Sequence, residues 1–125
     1  MRKQIKPIEF TPLAWVDNEE DLEVAVREIS ECLTRGCKAI AVDLEYHCVE
    51  RRAIVLCLVQ LSTYEKDYIF DSLTLRTKIA ESGLKQIFED PAVVKIFHGS
   101  ETDLQLLATD LDIVTVNVFD TARAF

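Results

Sequence analysis

Ala39-Ile40-Ala41-Val42-Asp43-Leu44-Glu45 is the stretch on which the fold turns. It reads as a buried β-strand carrying two carboxylates close to its end. Side chains alternate along a strand, so Ile40, Val42 and Leu44 point one way and Asp43, Glu45 and His47 the other. Acids one pleat apart on one face repel each other, and near a core they are costly unless paired or metal-bound. Mg²⁺ favours a few carboxylate oxygens and keeps part of its water, which suits an Asp-x-Glu pair at a strand end. The alternative is a frayed strand end with two solvated acids. The spacing alone does not separate these readings.

Outward from this strand the pattern is α/β. On its N-terminal side, Asp17 is placed as an N-cap, and acids at 19–21 sit where the helix dipole favours them. Leu22, Val26, Ile29 and Leu33 recur at helical spacing until Gly36. Residues 1–16, with Pro7 and Pro12, form an extended lead-in ending in a short strand at 13–16. On the C-terminal side, a polar turn (Glu50, Arg51, Arg52) leads into Ala53 to Leu61, apolar except for Gln60. That run predicts a central strand buried on both faces, and the short connection predicts an antiparallel hairpin. A third strand follows at 67–71. Residues 73–90 read as two short helices broken near Gly83 and ended by Pro91. Val93 to Phe97 is a fourth strand running into His98-Gly99. Ser100 opens a helix whose Leu104, Leu107 and Leu111 share a face, 114–119 is a fifth strand, and Asp120-Thr121 caps a further helix. Three meandering strands followed by helix–strand–helix–strand predict a mixed five-stranded sheet flanked by helices. This is the layout of the ribonuclease H-like fold, where acids gather at the end of the first strand.

Composition narrows the classes. The 125 residues make one domain or part of one, and 49% apolar content with three Gly and three Pro is that of a globular chain. No run of about 18 apolar residues occurs, and the first residues lead into no hydrophobic signal region, so an intracellular protein away from membranes is expected. Cys32, Cys37, Cys48 and Cys57 lack C-x-x-C spacing and paired histidines, and are expected as reduced structural thiols. A net charge of −8 argues against broad electrostatic gripping of nucleic acid. It leaves open a nuclease that holds substrate locally through metal ions.

Asp103, in Phe97-His98-Gly99-Ser100-Glu101-Thr102-Asp103-Leu104, is the third candidate acid. Ser100-x-x-Asp103 matches a helix capping box, a purely structural motif. Functionally, the helix's first turn could instead bring a third carboxylate over the first strand's end, beside Asp43 and Glu45. The blocks AVDLEYH (41–47), CLVQLST (57–63), DYIFDSL (67–73), KIFHGSETDLQLL (95–107) and NVFDTARA (117–124), in this order, resemble the 3′→5′ exonuclease domain of the RNase D family. Within it, the nearest branch is the RNase D-like catalytic subunit of the eukaryotic nuclear exosome. The resemblance runs from about residue 13 to 125, so the chain (lead-in 1–16, exonuclease core 17–125) would be the N-terminal two-thirds of such a domain.

That family is of the DEDD type and uses two Mg²⁺ (or Mn²⁺) ions. The resemblance implies that Asp43 bridges both ions, that Glu45 binds the one carrying the attacking water, and that Asp103 supports the second. It implies hydrolysis of single-stranded RNA from the 3′ end to nucleoside 5′-monophosphates, in the nucleus, with exosome subunits as partners. His47 and His98 match family histidines and take a structural or substrate-side role, His98-Gly99 as a turn that lets the chain approach the site closely. Asp120 is expected to be a helix cap and not a ligand.

The pattern departs from the family in two places. The last family motif, Tyr-x-x-x-Asp, supplies the fourth carboxylate and a tyrosine that orients water; Tyr46, Tyr64 and Tyr68 are the only tyrosines here and none has an Asp four residues on. The chain is therefore expected to be truncated before the fold's last helices and to show little nuclease activity alone. Val49-Glu50-Arg51-Arg52-Ala53-Ile54 also replaces a stretch usually carrying aromatics and a Gly, with Arg51 and Arg52 as a solvated turn or a phosphate contact. The competing reading is a non-catalytic adaptor that keeps the fold for RNA or protein contacts. A phosphate-transferring enzyme with an Asp nucleophile lacks any supporting phosphate loop.

Overall fold

In the computed structural model, which describes residues 11–51 and 53–124, the elements run β1 (Leu13–Val16), α1 (Glu19–Thr34), β2 (Ala39–Val49), β3 (Ala53–Ser62), β4 (Asp67–Asp71), α2 (Ser72–Glu81), α3 (Gly83–Glu89), β5 (Val94–Phe97), α4 (Glu101–Leu111) and β6 (Val118–Asp120). The lead-in before residue 11 and the Arg52 half of the basic pair lie outside the described residues. The strands form one mixed sheet in the order β1-β4-β3-β2-β5-β6. β3 is antiparallel to β2 and β4, while β1 pairs parallel with β4, β5 with β2, and β6 with β5.

The sheet has six strands where the sequence predicted five. The segment expected as a short strand in the lead-in is hydrogen-bonded beside β4, with Trp15 opposite Ile69 and Asp67 N–H on the Pro12 carbonyl at 2.9 Å. A second difference concerns the last strand, expected over 114–119 but formed only at 118–120. Asp112 ends α4 in the left-handed region, Ile113 dives into the core, and Val116 N–H is taken by the Phe88 carbonyl at the end of α3. Val114 N–H is likewise tied to Glu89 Oε1, so backbone amides at the start of that run are held by the end of α3 before the chain pairs with β5. Asn18, not Asp17, caps α1, its side chain accepting Asp21 N–H at 2.9 Å, while Asp17 accepts the indole N–H of Trp15.

β2 alternates as predicted: Ile40, Val42 and Leu44 are buried, and Ala41, Asp43 and Glu45 are exposed. The same alternation crosses the sheet, with Val42, Leu61 and Tyr68 in register on the buried face. Leu22, Ala25 and Ile29 of α1, Leu75 and Ile79 of α2, Leu84 and Phe88 of α3, and Leu106, Leu107 and Leu111 of α4 join that face in one core. Each fully buried Leu, Ile or Phe there contributes about 1.5–3 kcal/mol relative to exposure. The opposite face is open among the described residues, with Trp15, Asp43 and Phe119 exposed. β3 is central, but it is not buried on both faces: Val59 and Leu61 are buried, whereas Leu58 and Gln60 on the open side are only half-buried. The helices all lie on one side.

The predicted break between the two short helices falls at Ser82, whose hydroxyl accepts Leu84 N–H to start α3. Gly83 faces α1 so closely that a Cβ would stand 2.8 Å from Val26 Cγ1. Lys95 is fully buried in β5, and its ammonium donates to the Asp90 and Val93 carbonyls at 2.6 Å each. Burial lowers its pKa, and the Asp90 charge opposes that shift.

Candidate active site

β2, β5 and β6 run in one direction, so their carboxyl ends open at the same edge of the sheet. In α/β sheets that edge is where ligands bind. Asp43 and Glu45 stand on β2 near it, exposed, with Asp43 Oδ1 accepting its neighbour Leu44's N–H at 3.0 Å. The chain leaves β5 through His98-Gly99-Ser100. Gly99 takes φ +73°, a left-handed conformation that a side chain would oppose, and the turn delivers α4 with Asp103 in its first turn.

Asp103 is 8% exposed, and no hydrogen bond to its carboxylate is formed among the described residues. Its pKa is pushed up to about 6, first by burial and then by the charges of Asp43, Glu45 and Asp120. The carboxyl group thus shares one electrostatic neighbourhood with the two acids of β2. The capping-box reading fails on geometry: Ser100 precedes α4 but makes no side-chain cap, and its Oγ donates to Asp120 Oδ2 at 2.8 Å.

Asp120 caps α4 in its place. From the end of β6 its carboxylate accepts Gly99 N–H at 2.9 Å and Ser100 N–H at 2.8 Å, in addition to the Ser100 hydroxyl and Ala122 N–H. Hydrogen bonds from Ser100 and Gly99 hold its pKa far below the usual carboxylate range. The expected capping role is therefore right in kind and wrong in place: the carboxylate serves a helix 20 residues back, not a following one. Anions favour the positive end of a helix, so this contact also satisfies the α4 dipole.

His98 is exposed, its Nδ1 2.8 Å from Thr121 Oγ1. The Phe97 carbonyl, 3.1 Å from Thr121 Oγ1, can only accept, so with the hydroxyl donating there its oxygen is assigned as the acceptor for His98 Nδ1–H. That assignment leaves Nε2 as the free nitrogen. His47 is exposed on the alternation face of Asp43 and Glu45, with no side-chain hydrogen bond among the described residues. Arg51 lies at the β2–β3 turn, with φ +38°.

Donor chemistry fits a hard divalent cation: the oxygens are all carboxylate, and Asp103 is buried beside like charges without a hydrogen-bond donor. The ligand set is not closed, however. Among the described residues no three His, Cys, Asp or Glu side chains are gathered tightly enough to hold an ion as they stand. Like-charge repulsion opposes a closer approach of these acids. The sequence reading missed Asp110, which reaches from α4 to β3; nothing but its spacing of seven from Asp103 pointed to it.

Acids gathered at the carboxyl edge of a mixed sheet are the layout of the ribonuclease H-like nucleases. The family described as 3′-5′ exonuclease matches residues 13–124, and the chain belongs to it. Exosome complex component 10 of Rattus norvegicus is 39% identical over 119 residues, which cover 95% of this chain and 13% of that protein. Exosome complex exonuclease RRP6 of Saccharomyces cerevisiae is 38% identical over 110 residues, 88% of this chain and 14% of the relative. The chain thus spans about one seventh or less of these relatives' length. Among solved structures, the catalytic core of RRP6 from Trypanosoma brucei matches with a TM-score of 0.77 and 36% identity, over 92% of this chain and 30% of that one. Trypanosoma brucei RNase D in complex with RNA U12 matches at 0.74 and 26% identity, over 89% and 38%.

Proposed function

We propose that the chain is the acid-bearing part of a 3′→5′ exoribonuclease that trims single-stranded RNA 3′ ends to nucleoside 5′-monophosphates in nuclear RNA processing and degradation. The observation that carries this reading is Asp103, a nearly buried acid with no hydrogen bond to its carboxylate among the described residues, raised in pKa first by burial and then by Asp43 and Glu45. The identity to exosome components and the likeness to an RNA-bound RNase D support RNA as substrate and exosome subunits as partners. No helix among the described residues is long and apolar enough to cross a membrane.

Asp43, Glu45 and Asp103 would hold two Mg²⁺ or Mn²⁺ ions, which when bound lower the pKa of water and neutralise charge on the scissile phosphate. Asp43 and Glu45 offer their oxygens from a strand held in register by β3, opposite Gln60 and Leu58, so their spacing is set by that ladder. Asp103 is presented by α4, whose start Asp120 pins through Gly99 and Ser100. His98, held at Nδ1 by Thr121, keeps Nε2 free for a substrate contact, and His47 stands on the alternation face of Asp43 and Glu45. Four acids at this edge repel an RNA phosphate, so binding there depends on the cation. The 125 residues contain no Tyr-x-x-x-Asp motif. A fourth carboxylate and a water-orienting tyrosine would therefore come from other residues, and turnover by this chain alone is slow. Misplacing one catalytic group commonly costs about 100-fold or more in rate.

The test is a 5′-labelled single-stranded RNA incubated with Mg²⁺ or Mn²⁺ and either this chain or a version carrying further C-terminal residues with Tyr-x-x-x-Asp. Shortening from the 3′ end by the longer form, abolished by Asp43→Asn, is the expected result. Absence of shortening in both forms favours the second reading, a binding adaptor on an exonuclease fold, which the net charge of −8 also supports.

A further inference from the structure

The β2–β3 ladder is irregular beside the site. Glu45 faces Leu58 while the next residue, Tyr46, faces Leu56, so Cys57 is an extra residue bulged out of β3 opposite the Glu45–Tyr46 step. Beyond Leu58 the neighbouring strand β4 has ended, its last partner being Asp71. The Leu56 N–H therefore has no strand to pair with, and Asp110 Oδ2 accepts it at 2.9 Å. Asp110 is also braced from α2: Arg76 Nη2 stands 3.4 Å from Oδ1, and Arg76 Nε donates to the Asp110 carbonyl at 3.1 Å. Its side chain is only 12% exposed.

Asp103 and Asp110 are seven residues apart, close to two turns, so they lie along one side of α4. One end of this side carries the buried acid of the site, and the other grips the bulge next to Glu45. Sliding or rotating α4 breaks the Asp110 contact. We propose that Asp110 is a positioning residue that sets the separation of Asp103 from Glu45. The proposal rests on the reading of Asp43, Glu45 and Asp103 as metal ligands. A charge-assisted bond to a bulged strand suits this task because it is shorter and stronger than a neutral one.

Mn²⁺ affinity of the chain, measured by calorimetry alongside melting temperature, tests it. Asp110→Ala is expected to weaken Mn²⁺ about tenfold or more, in the range typical of residues that orient metal ligands. Asp110→Asn keeps an oxygen for Leu56 N–H and is expected to stay within about threefold of wild type, closer than Asp110→Ala. Glu28→Gln, which breaks a distant contact with Lys66 and Tyr68, lowers the melting temperature and leaves Mn²⁺ affinity unchanged. Should Asp110→Ala fail to fold, Asp110→Glu replaces it, shifting the grip by one methylene with an expected loss of about threefold or more. Wild-type affinity in either of these variants overturns the positioning role, as does an equal loss in Glu28→Gln. A wild-type chain that binds no Mn²⁺ overturns the metal reading itself, and this proposal with it.

Discussion

Asp103 carries its charge in a place that opposes it. Burial, and then the neighbouring acids, push its carboxyl up to about 6 from an ordinary 3.8, so between those values the folded state binds more protons than the unfolded one. Metal-free stability therefore falls as pH rises through that window and levels off above it, at a cost of about 1–3 kcal/mol. Asp103→Asn removes the cost. Its urea midpoint is expected to exceed that of the wild type at about pH 7.5 and to match it near pH 4; identical midpoints at both values would contradict the assignment. At this scale the sequence was readable where a residue's role is local. Asp43 and Glu45 follow from alternation along one strand. Asp103 was ambiguous because Ser100-x-x-Asp103 mimics a capping box, and only the Asp120 carboxylate, arriving from β6, shows that the cap is made otherwise. No short-range pattern contains that partner.

Elements were legible to the extent that their boundaries are set by their own residues. The α2–α3 break follows from Ser82 and Gly83, and the short turn after β2 made the hairpin certain to be antiparallel. β1 was underrated because a four-residue strand gains its stability from β4, more than 50 residues on. β6 was set too early because the amides of Val114 and Val116 are taken by the end of α3 and not by a neighbouring strand. The break itself is a packing device: with a Cβ 2.8 Å from Val26 Cγ1, Gly83→Ala must displace the Val26 side chain or shift α3 from α1. Its expected cost is about 1–3 kcal/mol in urea unfolding. In a Val26→Ala background most of that cost should vanish, and a penalty that persists there would locate the strain elsewhere.

On the scale of the whole molecule, a net charge of −8 and an acid-lined edge leave few cationic contacts for RNA. Binding that neutralises few phosphates with side chains weakens only gently with salt. Raising KCl from about 50 to about 200 mM is therefore expected to cost less RNA affinity than chelating divalent cations with EDTA. The reverse order in a fluorescence anisotropy titration would favour the adaptor. The α/β class and mixed sheet were readable from the order of elements, whereas the open sheet face was not, since half-buried and fully buried apolar runs look alike in sequence.

β2 occupies an inner position of the sheet, with β1 and β6 as its margins. β5 pairs with β2 only as far as Ala41, so Asp43 and Glu45 are held by β3, and fraying that starts at the β1 margin must cross β4 and β3 before it loosens the acids. Local melting at the rim and loss of the carboxylate pair become separate events. The chain can breathe at its borders without surrendering the geometry on which any cation would depend.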